Sequence, residues 1–159
     1  MSQLGFMGDE KSKIFLSATD SCGLLPSLLY DLLLIDGPYP ALFTCTDPDE
    51  ERTFLVLCPS CEKADHQFII VEVKPDVVIS LLQNKATIRD VWGGEDTKVF
   101  VKRDPKGIPQ LAVTRIGDIN PRYLPTPGYT MDASPGEFDE EIAILHQRQE
   151  KLNQKGECT

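Results

Sequence analysis

Ala41-Leu42-Phe43-Thr44-Cys45 and Thr53-Phe54-Leu55-Val56-Leu57 flank the charged turn Asp47-Pro48-Asp49-Glu50-Glu51. Runs of five or so β-branched, aromatic and aliphatic residues bounded by Asp and Pro read as strands joined by a turn, too short to be read as helices. The pattern continues on both sides. Upstream, Tyr30 to Ile35 is an apolar run broken by Asp36-Gly37-Pro38-Tyr39-Pro40, so it and the 41–45 run form two strands joined by a rigid turn. Lys13-Ile14-Phe15-Leu16-Ser17 is a further apolar run of strand length. Downstream, Pro59 to His66 makes a connection and Gln67 to Val73 the next strand.

At Lys74-Pro75 the period changes. Pro75 suits the first helical position, and Val77, Val78, Leu81 and Leu82 recur at helical spacing, with Asn84 as the stop. Thr87-Ile88-Arg89-Asp90 resembles a capping box and opens one short helical turn with Ile88, Val91 and Trp92 on a face, ended by Gly93-Gly94. Lys98 to Lys102 and Gln110 to Ile116 flank Asp104-Pro105-Lys106-Gly107, which has the residues of a type I turn, and together they read as a hairpin. From Gly117 to Ala133 the prolines at 121, 125 and 127 and little periodicity predict an extended strap. Ser134-Pro135-Gly136-Glu137 combines an N-cap, a proline at N1 and a glutamate at N3, ahead of Phe138, Ile142, Leu145 and Leu152 on one stripe. A C-terminal amphipathic helix follows.

The predicted class is α+β: a mostly antiparallel or small barrel-like sheet of about five to six short strands, one helical crossing and the C-terminal helix. By segment this gives a flexible lead over residues 1–11, a core domain over 12–116, the proline-rich strap over 117–133, and helix and tail over 134–159. Phe43, Leu55, Ile70, Val99 and Trp92 are the predicted core. A length of 159 residues suits about one domain, and 41% hydrophobic with 26% charged residues is a globular composition.

The net charge of −9 disfavours binding to nucleic acid or to anionic lipid and favours a basic partner. Nothing in the first twenty residues has the charge and apolar pattern of a secretory signal, and the apolar runs are too short to span a membrane, so a cytoplasmic location is expected. Five cysteines without a secretory context fit reduced thiols.

Cys58-Pro59-Ser60-Cys61 is the one motif with metal-ligand spacing, since two thiolates from a tight turn can grip one zinc ion. A structural site needs four ligands, and the available completion is Cys45 and His66; no second Cys-x-x-Cys exists. The reading preferred is that these thiols are turn and strand-end residues, with no metal and no cofactor. Neither histidine, His66 nor His146, lies in a nucleophile motif, and Gly93-Gly94 does not open a helix as a phosphate loop would. The carboxylates are scattered, and those at 47–51 are a solvated turn.

Leu29-Tyr30-Asp31, the segment Asp36-Gly37-Pro38-Tyr39-Pro40-Ala41-Leu42-Phe43, the 54–57 and 68–71 strands and Ala86-Thr87-Ile88-Arg89-Asp90-Val91-Trp92 together resemble a family of small bacterial and phage proteins of unknown function. Over about Leu29 to Val101 that resemblance implies the same fold reading and a prokaryotic or phage setting; it implies no activity. This chain differs in having Tyr39-Pro40 after the Asp-Gly-Pro turn and in its Cys-Pro-Ser-Cys turn.

The expectation is a non-enzymatic protein-binding module of accessory, immunity or anti-defence type. Its partner-binding residues would be Phe138, Ile142, Leu145 and Leu152, the acidic Asp139, Glu140 and Glu141, and the strap tyrosines Tyr123 and Tyr129. The partner is a protein, basic by charge complementarity, or a second copy of this chain. A zinc-stabilised domain using the Cys-Pro-Ser-Cys turn, and a hydrolase built from scattered Asp and Glu, are the alternatives.

Overall fold

The computed structural model describes residues 14–16, 26–36, 41–49, 51–58, 67–103 and 110–157. Residues 37–40, 59–66 and 104–109, over which turns or connections were expected, including Cys61 and His66, lie outside the described residues, as does the expected lead over 1–11. The chain divides into two compact units: the described residues up to Glu72 with Lys98–Thr114, and Val73–Thr97 with the described residues from Arg115 onward. The helical crossing therefore belongs with the strap and C-terminal helix.

The first unit carries a curled antiparallel sheet whose strands lie side by side in chain order. They are β1 (Ile14–Leu16), β2 (Leu28–Ile35), β3 (Ala41–Thr46), β4 (Thr53–Cys58), β5 (Gln67–Val73), β6 (Lys98–Arg103) and β7 (Gln110–Arg115). The count is seven where about five to six were expected: every run read as a strand, the three-residue β1 and the exposed β7 included, joins the sheet. The β3–β4 hairpin is its regular centre, with unbroken antiparallel register from Ala41 opposite Cys58 to Thr46 opposite Thr53.

Every residue of β4 is buried. Alternation puts Phe43, Cys45, Phe54 and Val56 on one face, joined by Phe15, Leu16, Leu28, Ile70 and Phe100 in one apolar cluster. The residues between them, Leu42, Thr44, Leu55, Leu57, Ile69, Val71 and Val99, are buried on the other face. Burial on both faces is the reason the 53–57 run is apolar without alternation. In the cluster Phe15 meets Tyr30, Phe43 and Phe68 edge to face at centroid distances of 5.4, 5.4 and 5.1 Å. Such pairs contribute about 0.5–1.5 kcal/mol each beyond the area they bury. Lys102 lays its ammonium 5.2 Å from the Phe15 and Phe68 centroids, which accounts for a buried lysine among aromatics.

β2 is the irregular strand. From Tyr30 opposite Cys45 to Leu33 opposite Phe43 it takes three steps against two on β3, and from Leu33 to Ile35, opposite Leu42, two against one. Each shift inserts one extra residue, a β-bulge that frees backbone groups from the ladder. At the first, Thr44 supplies the missing partner: its Oγ1 accepts from Leu32 N–H at 3.0 Å and donates to Asp31 Oδ2 at 2.7 Å. The hydroxyl is fully buried with its strand. Thr44→Val keeps the shape and removes both bonds, so it should cost about 1–3 kcal/mol, whereas Thr44→Ser keeps both and loses only one buried methyl, about 0.8 kcal/mol. Chemical unfolding of both variants checks this; equal stabilities would remove the hydroxyl from the account of the bulge.

The β3–β4 turn is held by Asp47, whose Oδ1 accepts from Glu51 N–H at 2.7 Å and Arg52 N–H at 3.1 Å. Arg52 in turn makes a two-pronged contact with Glu72 on β5, Nε to Oε2 at 3.0 Å and Nη2 to Oε1 at 2.7 Å.

In the second unit α1 (Pro75–Leu82) starts on the expected proline and buries Val78, Ile79, Leu81 and Leu82. Asn84 then adopts φ 60°, a left-handed conformation Asn tolerates at a helix end. A 3₁₀ turn over Asp90–Trp92 follows, with Thr87 Oγ1 accepting from Asp90 N–H at 3.1 Å, the contact its capping-box pattern predicts. Gly93 ends it at φ 87°, and a Cβ there would collide with Thr97 Oγ1, so the position requires glycine. All five predicted core residues, Phe43, Leu55, Ile70, Val99 and Trp92, are buried. Among the described residues no helix is long and apolar enough to cross a membrane.

Candidate partner-binding surface

The C-terminal helix exists, and its apolar face is already occupied. α2 (Asp139–Glu157) packs against α1 within the second unit; Leu145 on it is completely buried, and Phe138, in the turn just before it, nearly so. Ile142 and Leu152 are half-buried. The predicted stripe thus docks on a helix of its own chain, which withdraws Phe138 and Leu145 from any surface offered to a partner.

The seam has a polar member with a structural task. Gln149 Oε1 accepts from the backbone N–H of Asp76, in the first turn of α1, at 3.2 Å, and its Nε2 donates to Asn153 Oδ1 at 3.1 Å. Because α1 has no cap from its own flanking residue and Pro75 has no N–H, Gln149 satisfies one of the at most three amides that this helix start leaves free. The start of α2 is also built differently from its expected N-cap. Residues 135–138 form a turn with Gly136 at φ 81°, and Glu137 Oε1 reaches back to accept from Ser134 N–H at 2.9 Å, the glutamate half of a capping box.

The strap is tied down over its second half. Asn84 pairs with the Ala133 backbone twice, Nδ2 donating to Ala133 O at 3.0 Å and Ala133 N–H donating to Asn84 Oδ1 at 2.9 Å. Ile88 N–H donates to Tyr129 O at 2.8 Å. Two 3₁₀ turns, Ile116–Asp118 and Pro121–Tyr123, punctuate the first half. Tyr123 is half-buried under the Arg122 guanidinium, 4.6 Å from its centroid, while the Tyr129 ring is 65% exposed.

Tyr129 and the outer face of α2 are both exposed in this unit. Asp139 and Glu140 are exposed and Glu141 is half-buried; with Glu137 they place four carboxylates and no basic residue in five positions. Carboxylates in a first helical turn also favour the helix itself, so their charge has a local use as well. Ile144 joins this face at 39% exposure. Sequence reasoning passed over it, although its signal is present: it is an aliphatic residue on α2 that falls off the stripe of Phe138, Ile142, Leu145 and Leu152.

The zinc reading loses a ligand to register. Cys45 lies opposite Phe54 and Cys58 opposite Ala41, so along the hairpin the two thiols are four residues apart, roughly 13 Å at strand spacing. Cys45 cannot join Cys58 around one ion. Burial, with the charge of Asp31 adding to it, pushes the Cys45 thiol well above its ordinary pKa and keeps it protonated, the opposite of what metal ligation needs. Among the described residues no group of three or more His, Cys, Asp or Glu side chains is placed to hold a metal ion. The buried or paired carboxylates serve the fold: Asp47 holds a turn, Asp31 a bulge, and Glu72 an arginine. No protein-family model, curated protein or solved structure matches the chain.

Proposed function

We propose that this chain is a non-enzymatic protein-binding module of accessory, immunity or anti-defence type, which recognises a basic protein through the outer face of α2 and the strap. The observation that supports the reading is how α2 divides: one face is consumed by α1, while the other presents Asp139, Glu140 and Ile144 to solvent. An aliphatic residue with Glu140 and Glu141 one turn before it on the helix suits a partner surface whose apolar pocket carries Lys or Arg on that side. Tyr129 adds a large, amphipathic side chain whose backbone is already fixed, which lowers the entropy lost on binding.

The test is co-purification from the native host with identification of the partner by mass spectrometry, then titration of that partner against variants. Glu140→Lys with Ile144→Asp should weaken binding by at least about tenfold, which is 1.4 kcal/mol, and wild-type affinity should fall as salt rises. Thermal unfolding of the variant should match wild type, since both side chains are exposed. A partner that binds the variant as tightly as wild type would sink the proposal.

A further inference from the structure

The two edge strands of the sheet are unlike. β1 is three residues long, and its pairing with β2 shifts between Ile14 and Leu16, the short and irregular form of edge that resists further pairing. β7 is six residues long, and Gln110-Leu111-Ala112-Val113-Thr114 carries neither charge nor proline before Arg115. Ala112 is exposed and Val113 is 40% exposed, and among the described residues no strand pairs with the outer edge of β7. We propose that this edge pairs with β7 of a second copy of the chain, antiparallel about a two-fold axis at Ala112, joining two sheets edge to edge.

The strand's own pattern selects both occupant and axis. With the axis at Ala112, Gln110 faces Thr114 of the second copy and Leu111 faces Val113 of the second copy, so polar meets polar and apolar meets apolar. Moving the axis one residue, to Val113, sets Leu111 against Arg115 of the second copy. Leu111 is half-buried against the aromatic cluster, and Val113, two residues on and on the same face, is the side chain the pairing covers. A two-fold contact of one patch with itself closes as a dimer and does not propagate. One strand pair is a small interface, so the dimer is weak and depends on concentration. Each copy carries a net charge of −9, so added salt relieves repulsion and strengthens it. That is the opposite salt response to binding of a basic partner by α2, and the two surfaces are separable on that ground.

Sedimentation or light scattering over a concentration series should show the mass rising toward twice that of the monomer, more readily at higher salt. Val113→Lys, at an exposed position, should raise the dissociation constant by about tenfold or more with thermal unfolding unchanged. A second arm is independent of that variant. Antiparallel partners stand about 4.5–5.5 Å apart at Cα, within disulfide reach, so Ala112→Cys should cross-link to itself under mild oxidation, above the level of the wild-type chain. Val113→Cys, two residues out of register with its own copy, should not. A chain still monomeric at roughly 1 mM, a dimer indifferent to Val113→Lys, or Val113→Cys cross-linking as readily as Ala112→Cys would each overturn the proposal.

Discussion

Trp92→Ala is expected to lower stability by about 3–5 kcal/mol, while Trp92→Phe leaves it within about 1 kcal/mol of wild type. Trp92 is fully buried in the second unit, in a 3₁₀ turn whose backbone is held from both ends: its own N–H donates to Arg89 O at 3.2 Å and Gly93 N–H donates to Asp90 O at 3.1 Å. That backbone will not collapse into the space vacated by the largest side chain, so the alanine variant bears both the transfer and the cavity terms. Phenylalanine is a different case. The Trp92 indole Nε1–H is buried and meets no acceptor among the described residues, a deficit of about 1–3 kcal/mol. Removing it offsets the loss of ring volume. Urea unfolding of both variants decides the matter, and a phenylalanine variant as unstable as the alanine one would mean that the indole N–H is satisfied. Against a total stability of about 5–15 kcal/mol, the alanine loss is a large share.

What was readable in advance depended on local pattern. Runs such as 53–57 and 67–73, bounded by turn residues, announce strands, and Pro75 announces a helix start, because the information sits within a few residues. The β2 bulges are not announced: they depend on the Thr44 hydroxyl meeting Leu32 and Asp31 from another strand, and on the apolar run alone β2 looks regular. The same holds for Gln149. On a helical wheel it interrupts an apolar seam and argues against a long coiled coil; in space it caps a helix 73 residues earlier. The candidate metal set loses Cys45 for the related reason that Cys45 and Cys58 share a hairpin, and only the register shows that they sit far apart along it. The candidate surface was half legible. Its acidic turn and Tyr129 were found by composition, but which residues of α2 face inward depended on α1, whose packing against α2 no local pattern reveals.

Leu145→Ala should destabilise the protein by about 2–5 kcal/mol, and its neighbour Ile144→Ala by no more than about 0.5 kcal/mol. Leu145 is fully buried where α2 docks on α1, whereas Ile144 is 39% exposed one position earlier. An isolated helix of this length is marginal in water, so weakening the docking face also weakens the helix, and Leu145→Ala should show reduced helical circular dichroism before the sheet unfolds. Ile144→Ala should keep the full helical signal and the wild-type unfolding midpoint while lowering affinity for the basic partner proposed above. The pair thus separates two roles that one amphipathic stripe had merged. If Leu145→Ala left stability and helical signal unchanged, α2 would not depend on its contact with α1, and all four stripe residues would return as candidates for a partner's surface. If Ile144→Ala bound the partner as wild type does, the outer face would be only the solvated side of a docked helix. Expected instead is a clean division, in which Leu145 sets how firmly α2 is held and Ile144 sets what the held helix can recognise.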